Sequence, residues 1–288
     1  MAYPRPDSLV STEWLASHLK APDVRIVDAS WYLPAMNRDA KAEYAKQHIP
    51  GAVYFDIDEI SDEDSSYPHM LPSAIKFTSR VQKLGLGDGN RIVVYDGYPM
   101  LSAPRGWWMF RVFGHHDVAV LDGGMNKWLA EGRPLEDLPP MPRQRHFSAR
   151  LDNTMVRDTE AVKAALTRGE QVVDVRPADR FAGSAPEPRP GMRAGHMPGA
   201  INLPFSTLVD ARGTMLPAEQ LRERIKAAGI DIDKPVIASC GSGVSACVLG
   251  LALDLLGAKH TTIYDGSWAE WGSRVDTPVV TGVVSGAK

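Results

Sequence analysis

The sequence predicts an α/β protein that contains the same domain twice in tandem, each copy a parallel sheet flanked by helices. Three observations carry this. Short β-branched runs alternate with longer stretches of helical spacing, the pattern of strands joined by crossover helices and covered on both faces. The two halves of the 288-residue chain repeat each other. Between them, residues 135–150 hold Pro139, Pro140 and Pro142 among charged side chains, which interrupts any regular element and reads as a linker folded along the surface.

In chain order, residues 14–19 read as a helix and Val24-Arg-Ile-Val-Asp28 as a strand. His48-Ile-Pro-Gly-Ala-Val53 is a turn leading into the next strand. Arg91-Ile-Val-Val-Tyr-Asp96 is a second apolar run, residues 102–113 a helix, and Val120-Leu-Asp-Gly-Gly124 with Trp128 a strand end and turn. The second half answers each in order. Gln171-Val-Val-Asp-Val175, His196-Met-Pro-Gly-Ala-Ile201, Pro235-Val-Ile-Ala-Ser-Cys240 and Ile263-Tyr-Asp-Gly-Ser267 with Trp271 match the four segments, with helices over 218–228 and 244–256. The offset runs from 143 residues (Val120 to Ile263) to 148 (His48 to His196), so this is a duplicated domain of about 130 residues and not a short-period solenoid. The division is 1–138 for the first domain, 139–153 for the linker and 154–288 for the second domain. With 44% hydrophobic residues the chain has enough to bury two cores.

The segment richest in chemistry is Cys240-Gly-Ser-Gly-Val-Ser245, between a buried strand and a helix. Loop amides of residues 241–245 converge on the sulfur there, and the positive end of the helix dipole suits an anion; the thiolate is the form of cysteine that reacts. Gly241 and Gly243 fit a loop whose backbone approaches a ligand closely. Duplication provides a control. At the place of Cys240 the first half has Asp96, in Tyr95-Asp-Gly-Tyr-Pro-Met100, which cannot form the same sulfur intermediate, so the first half is a scaffold that contributes to one site and the second half carries the chemistry. The control also marks residues present in both halves as structural: His48 and His196 as turn residues before Pro-Gly-Ala, Asp122 and Asp265 as turn formers, and Trp128 and Trp271 as packing.

Composition excludes several classes. With 32 basic and 35 acidic residues there is no nucleic-acid footprint. No apolar stretch reaches transmembrane length, and residues 1–20 lack a continuous apolar run, so a soluble cytoplasmic protein is expected. Cys240 and Cys247 are the only cysteines. Placed on one helix, they are separated by ~10 Å, beyond disulfide reach, and they make a poor zinc site, so no metal is expected. The glycines at 85, 87 and 89 precede a strand, the wrong context for a phosphate loop.

Tandem α/β halves, His-x-Pro-Gly-Ala in each and the Cys240-Gly-Ser-Gly-Val244 loop together resemble the two-domain rhodanese superfamily, over nearly the whole chain from Trp14 to Trp271. Within it the chain is similar to the branch that takes sulfur from 3-mercaptopyruvate. Relatives that use thiosulfate typically have Arg and Lys after the cysteine, where Gly241 and Ser242 stand here. The resemblance implies Cys240 as nucleophile and persulfide carrier, with Gly241, Ser242, Gly243, Val244 and Ser245 as the cradling loop. Arg180, in Asp-Arg-Phe181, and Arg189, in Glu-Pro-Arg189, become the substrate arginines, since a guanidinium fork matches a carboxylate and the adjacent carbonyl. It further implies that Asp58 and His69 lie across the domain interface, Asp58 orienting His69 and His69 bonding the Ser242 hydroxyl. Arg176 and Arg193 are expected to brace loops or lie on the surface. A ping-pong cycle of this kind needs no cofactor; its partners are 3-mercaptopyruvate and a thiol acceptor such as thioredoxin or a small thiol, and a monomer is the default. Alternatives are a thiosulfate sulfurtransferase and a persulfide carrier or binding module. A cysteine phosphatase of the same fold needs an arginine six positions after the cysteine, where Ala246 stands.

Overall fold

The computed structural model describes residues 2–138 and 140–282. Each half contains one five-stranded parallel sheet. The first comprises β1 (Leu9–Val10), β2 (Val24–Asp28), β3 (Val53–Tyr54), β4 (Arg91–Tyr95) and β5 (Val118–Leu121) in the order β1-β5-β4-β2-β3. The second comprises β6 (Val156–Arg157), β7 (Gln171–Asp174), β8 (Ile201–Asn202), β9 (Val236–Ser239) and β10 (Thr261–Tyr264) in the order β6-β10-β9-β7-β8. The orders are the same, so the repeat in sequence is a repeat in topology. The central strands are buried on both faces, which is why β4 and β9 read as unbroken apolar runs.

Among the described residues six helices cover the first sheet: α1 (Thr12–His18), α2 (Ala40–Lys46), α3 (Ile57–Ile60), α4 (Ala74–Lys83), α5 (Ala103–Val112) and α6 (Gly124–Ala130). Five cover the second: α7 (Thr159–Thr167), α8 (Ala178–Ala182), α9 (Ala218–Ala227), α10 (Ala246–Leu255) and α11 (Ser267–Trp271). Capping side chains set several starts. Ser11 accepts the Trp14 amide, Ser73 that of Lys76 and Asp158 that of Ala161. The helices α5 and α10 are each buried except at one position, Arg111 and Asp254, and belong to one hydrophobic cluster that spans both halves. Their sequences are therefore apolar all round instead of amphipathic. The helix expected over 244–256 begins two residues later, at Ala246, because Val244 and Ser245 complete the loop after the cysteine.

The proline-rich segment is more than a surface linker. Phe147 is fully buried against Phe77 and Phe110, and the amides of Arg150 and Asp152 donate to the carbonyls of Phe113 and Val112 at 2.9 and 2.7 Å. This strap also accounts for the glycine run. A Cβ on Gly85 (φ +70°) would stand 2.6 Å from the Pro142 Cβ, and one on Gly87 3.0 Å from that of Arg145. The shared residues are structural as expected: His48 and His196 are buried, stacked on Tyr44 and Phe181, and Trp128 and Trp271 are fully buried. Among the described residues no helix is long and apolar enough to cross a membrane.

Candidate active site

Cys240 follows β9 and lies at the floor of a cavity of about 320 Å³ that both halves line, Trp31, Tyr98 and Leu101 from the first and Arg180, Arg189 and Phe205 from the second. Only 1% of the residue is exposed, so the cavity is the route to its sulfur. Its backbone is held by the start of α11. The Cys240 amide donates to Ser267 Oγ at 3.1 Å, the Cys240 carbonyl accepts from Trp268 N–H at 3.0 Å, and the Gly241 carbonyl accepts from Ala269 N–H at 2.8 Å. Gly243 turns the loop at φ +77°, and a Cβ there would lie 2.7 Å from the Asp265 carbonyl oxygen. Among the described residues none of the amides of 241–246 donates to another protein group.

The first half shows what such a loop holds. Asp96, in the place of Cys240, is fully buried, and its Oδ2 accepts from the amides of Leu101, Ser102 and Ala103 at 2.9, 2.7 and 2.8 Å. Counting back from the helix starts, those amides correspond to Val244, Ser245 and Ala246. The first-half loop, one residue longer, thus surrounds an anionic oxygen with the amides that lead into α5, and the corresponding amides of the second half lie between Cys240 and α10.

Asp58, His69 and Ser242 come together across the domain interface. His69 Nε2 is 3.0 Å from Asp58 Oδ1, and His69 Nδ1 is 2.8 Å from Ser242 Oγ. Burial keeps the His69 imidazole below its ordinary pKa, against the pull of Asp58; burial pushes Asp58 up, but His69, the Trp31 indole and Arg189 together hold it below its ordinary value. An ionised carboxylate only accepts, so Nε2 carries the proton and the Ser242 hydroxyl donates to Nδ1. Asp58 is not the cap of α3; Asp56 is, which frees the Asp58 side chain for His69. Its second oxygen accepts from Trp31 Nε1 at 3.1 Å, and the Trp31 ring stands edge-on to His69 at 4.7 Å.

His69 sits at φ +63°, an unusual backbone state for a side chain of its size, and Arg105, itself anchored across the domain interface by Asp265, holds it there. Arg105, from α5 and completely buried, donates from Nη2 to the His69 carbonyl and from Nη1 to Asp265 Oδ1 at 2.7 Å. Asp265 Oδ2 accepts the Leu71 amide at 2.7 Å. Asp265 is therefore not a turn former but a clamp between the halves. Asp122 is its mirror, accepting the Met215 amide at 2.8 Å. Neither role was read from the sequence; the available signal was Arg105 itself, a charge near the start of a helix whose other residues are apolar but for Arg111, which has to find a buried partner.

Arg180 and Arg189, expected to hold the substrate, both line the cavity. A Cβ on Gly241 would meet Arg180 Nη2 at 3.3 Å, and burial pulls the Arg189 pKa down while Cys240 opposes that. Glu187, unrecognised in the sequence although it belongs to the Glu-Pro-Arg189 motif, is buried between Arg180 and Arg176. It accepts from Arg176 Nη1 at 2.7 Å and from Arg180 Nη2 and Nε. Arg176 also grips Asp174 and the Gly195 carbonyl, so it is a buried brace, and Arg193 braces the C-terminal turn through the carbonyls of Trp271, Gly272 and Thr277. Cys240 and Cys247 do not share a helix, because the loop separates them, so the helical-rise separation does not apply. Cys247 is a buried thiol that donates to the Gly243 carbonyl at 3.3 Å, its pKa pushed far up by burial.

Two copies of the rhodanese-like domain model match the chain, over residues 11–131 and 158–274. The human 3-mercaptopyruvate sulfurtransferase is 44% identical over 93% of this chain and 92% of its own length. The bovine thiosulfate sulfurtransferase is 43% identical over 93% and 92%. The crystal structure of SseA from Escherichia coli, described as a 3-mercaptopyruvate sulfotransferase, superposes with a TM-score of 0.84 at 38% identity, covering 91% of this chain and 98% of that one. With both halves matched and relatives this similar over almost their full length, the chain belongs to the rhodanese family as a two-domain member.

Proposed function

We infer that the protein is a sulfurtransferase that takes the sulfur of 3-mercaptopyruvate onto Cys240 as a persulfide, releases pyruvate and hands the sulfur to a thiol acceptor. The observation that carries the substrate assignment is the uncharged Gly241-Ser242 pair, with Gly241 close against Arg180. A cationic side chain at 241 would crowd that guanidinium, whereas glycine leaves room beside Arg189 and the part of Arg180 that Glu187 does not hold for one carboxylate and its neighbouring carbonyl.

In the first step the Cys240 thiolate attacks the substrate sulfur. The substrate C–S bond breaks and its electron pair leaves with pyruvate as the enolate. The proton of the substrate thiol passes to Ser242, whose own proton moves to His69 Nδ1, with Asp58 balancing the imidazolium; the relay then returns a proton to the enolate carbon. The outer sulfur stays on Cys240 as an anion, where the unpaired amides of 241–246 receive it as those of 101–103 receive the Asp96 carboxylate, a preorganised contribution of a few kcal/mol. A thiolate acceptor then attacks the outer sulfur, and Cys240 leaves as thiolate.

The test is pyruvate release from 3-mercaptopyruvate with a thiol acceptor, beside thiocyanate formation from thiosulfate and cyanide. Preference for mercaptopyruvate by about tenfold or more in kcat/KM is expected, since one charged contact decides between the two. Preference for thiosulfate would overturn the reading. His69→Ala is expected to lower kcat by about 10²-fold if the relay moves the proton, and an unchanged kcat would dismiss the relay. Two free cysteines suit the reducing cytoplasm, and mutual burial of the two halves suits a monomer. The domain division stays at 1–138 and 154–288 around the strap.

A further inference from the structure

The loop of the first half, which carries no nucleophile, is connected to the active site by a continuous series of hydrogen bonds. Asp96 Oδ2 accepts the Ser102 amide at 2.7 Å, and Ser102 Oγ accepts the Trp31 amide at 3.1 Å. The Trp31 indole donates to Asp58 at 3.1 Å, Asp58 meets His69 at 3.0 Å, and His69 meets Ser242 at 2.8 Å. Every link but Asp58 is at least half buried, and Trp31, Tyr98 and Leu101 of this region also form the cavity wall. We propose that Asp96 is a positioning residue for the relay: its carboxylate is a permanent occupant of the first-half cradle, and by drawing three amides together it fixes Ser102, and through Ser102 the Trp31 platform that aims Asp58 at His69.

The surroundings favour a structural anion over a vestige. Asp96 faces Asp28 on β2 and the Arg38 guanidinium, which donates to the Gly97 carbonyl at 3.1 Å and is itself paired with Glu43. The contact from α6 is a backbone amide, Met125 N–H to the Asp96 carbonyl at 2.9 Å. Burial lifts the Asp96 pKa to about 6 against the three amides, so at neutral pH the buried carboxylate is ionised, and among the described residues no cation is paired to it directly. A buried charge held by amides alone is costly, and it is tolerated where those amides have to be held in place. The second half offers the contrast. Gly213, the counterpart of His69, packs so closely on Pro99 that a Cβ would stand 2.7 Å from the Pro99 Cα, leaving no room for a second relay.

The proposal rests on the sulfurtransferase reading; failure of that reading shows as absent pyruvate release in the unaltered protein, before any variant is made. The experiment is a double-mutant cycle on the full chain, with kcat and KM for 3-mercaptopyruvate measured in Asp96→Asn, His69→Ala and the combination. Asparagine keeps the shape but presents an amide that cannot accept three donors at one charged oxygen. Asp96→Asn is expected to lower kcat about tenfold with KM within about twofold, and to cost nothing further once His69 is alanine. Equal losses in both backgrounds, or a rise in KM in place of the fall in kcat, would mean general loosening of the loop and would overturn the proposal. So would unchanged turnover in either single variant. Ser102→Ala, which leaves the cradle amides intact and removes the acceptor for Trp31 with only a long 3.5 Å contact from the hydroxyl to Asp96 Oδ2, is expected to repeat the pattern with a smaller loss; it decides the matter if Asp96→Asn does not fold.

Discussion

Cys240→Ser is expected to reduce pyruvate release from 3-mercaptopyruvate on the order of 10⁴-fold or more, since serine retains the hydrogen bonds of the position but supplies no sulfur to be persulfurated. The companion measurement is mass spectrometry of the unaltered protein after exposure to substrate without acceptor. It should gain one sulfur atom, mapped to Cys240. Cys247 is the built-in comparison, a thiol of the same chain a few residues on, fully buried and engaged with the Gly243 carbonyl. Its burial holds it protonated, and a protonated thiol is a poor nucleophile. Sulfur found on Cys247, or turnover surviving in Cys240→Ser, would remove the assignment.

Arg105→Ala should be the most damaging change outside the cavity. It strands Asp265 as a buried carboxylate and removes the partner of the His69 carbonyl, together with the packing of the guanidinium over Trp108. Breaking a buried pair from one side costs about 3–5 kcal/mol, so thermal unfolding should shift strongly downward. Activity should fall with it, because Arg105 and Asp265 hold the backbone of residues 69–71 against the cysteine loop. The double variant Arg105→Met, Asp265→Leu separates the two effects. Replacing both charges with apolar groups should recover much of the stability, since the pair itself has low net worth. It should not recover kcat, because neither Leu71 N–H nor the His69 carbonyl regains a partner. Full activity in that double variant would show that the clamp is structural only.

Much of this molecule was legible in the sequence because duplication supplied a comparison within one chain. The alternation of strands and helices, the repeat itself and the separation of shared from unshared residues all follow from reading one half against the other. The cysteine loop was legible for a local reason: strand, glycines and helix start are contiguous, so spacing alone determines where the amides point. Asp58, His69 and the two arginines came from family resemblance, not from pattern, since no periodicity places residues 58 and 69 beside 242. What escaped were contacts between elements far apart in the chain. Arg105 with Asp265, Trp31 with Asp58 and the reciprocal grip of Asp122 on Met215 depend on how two sheets dock, which neither half specifies alone. Cys240 and Cys247 are both free, but their separation is not that of one helix, because the helix begins only at Ala246, after a loop with two glycines.

The paired clamps, Asp122 on the Met215 amide and Asp265 on the Leu71 amide, have the reciprocity of an isologous contact, in which the same patch serves both partners. In a dimer of identical chains every substitution appears twice, so exchanging the cysteine for aspartate would extinguish both centres in one stroke. Joining the copies in a single polypeptide removes that constraint. One copy is released to become Asp96, Trp31 and His69 while the other keeps its thiol, and the gain from fusion is the licence to be asymmetric.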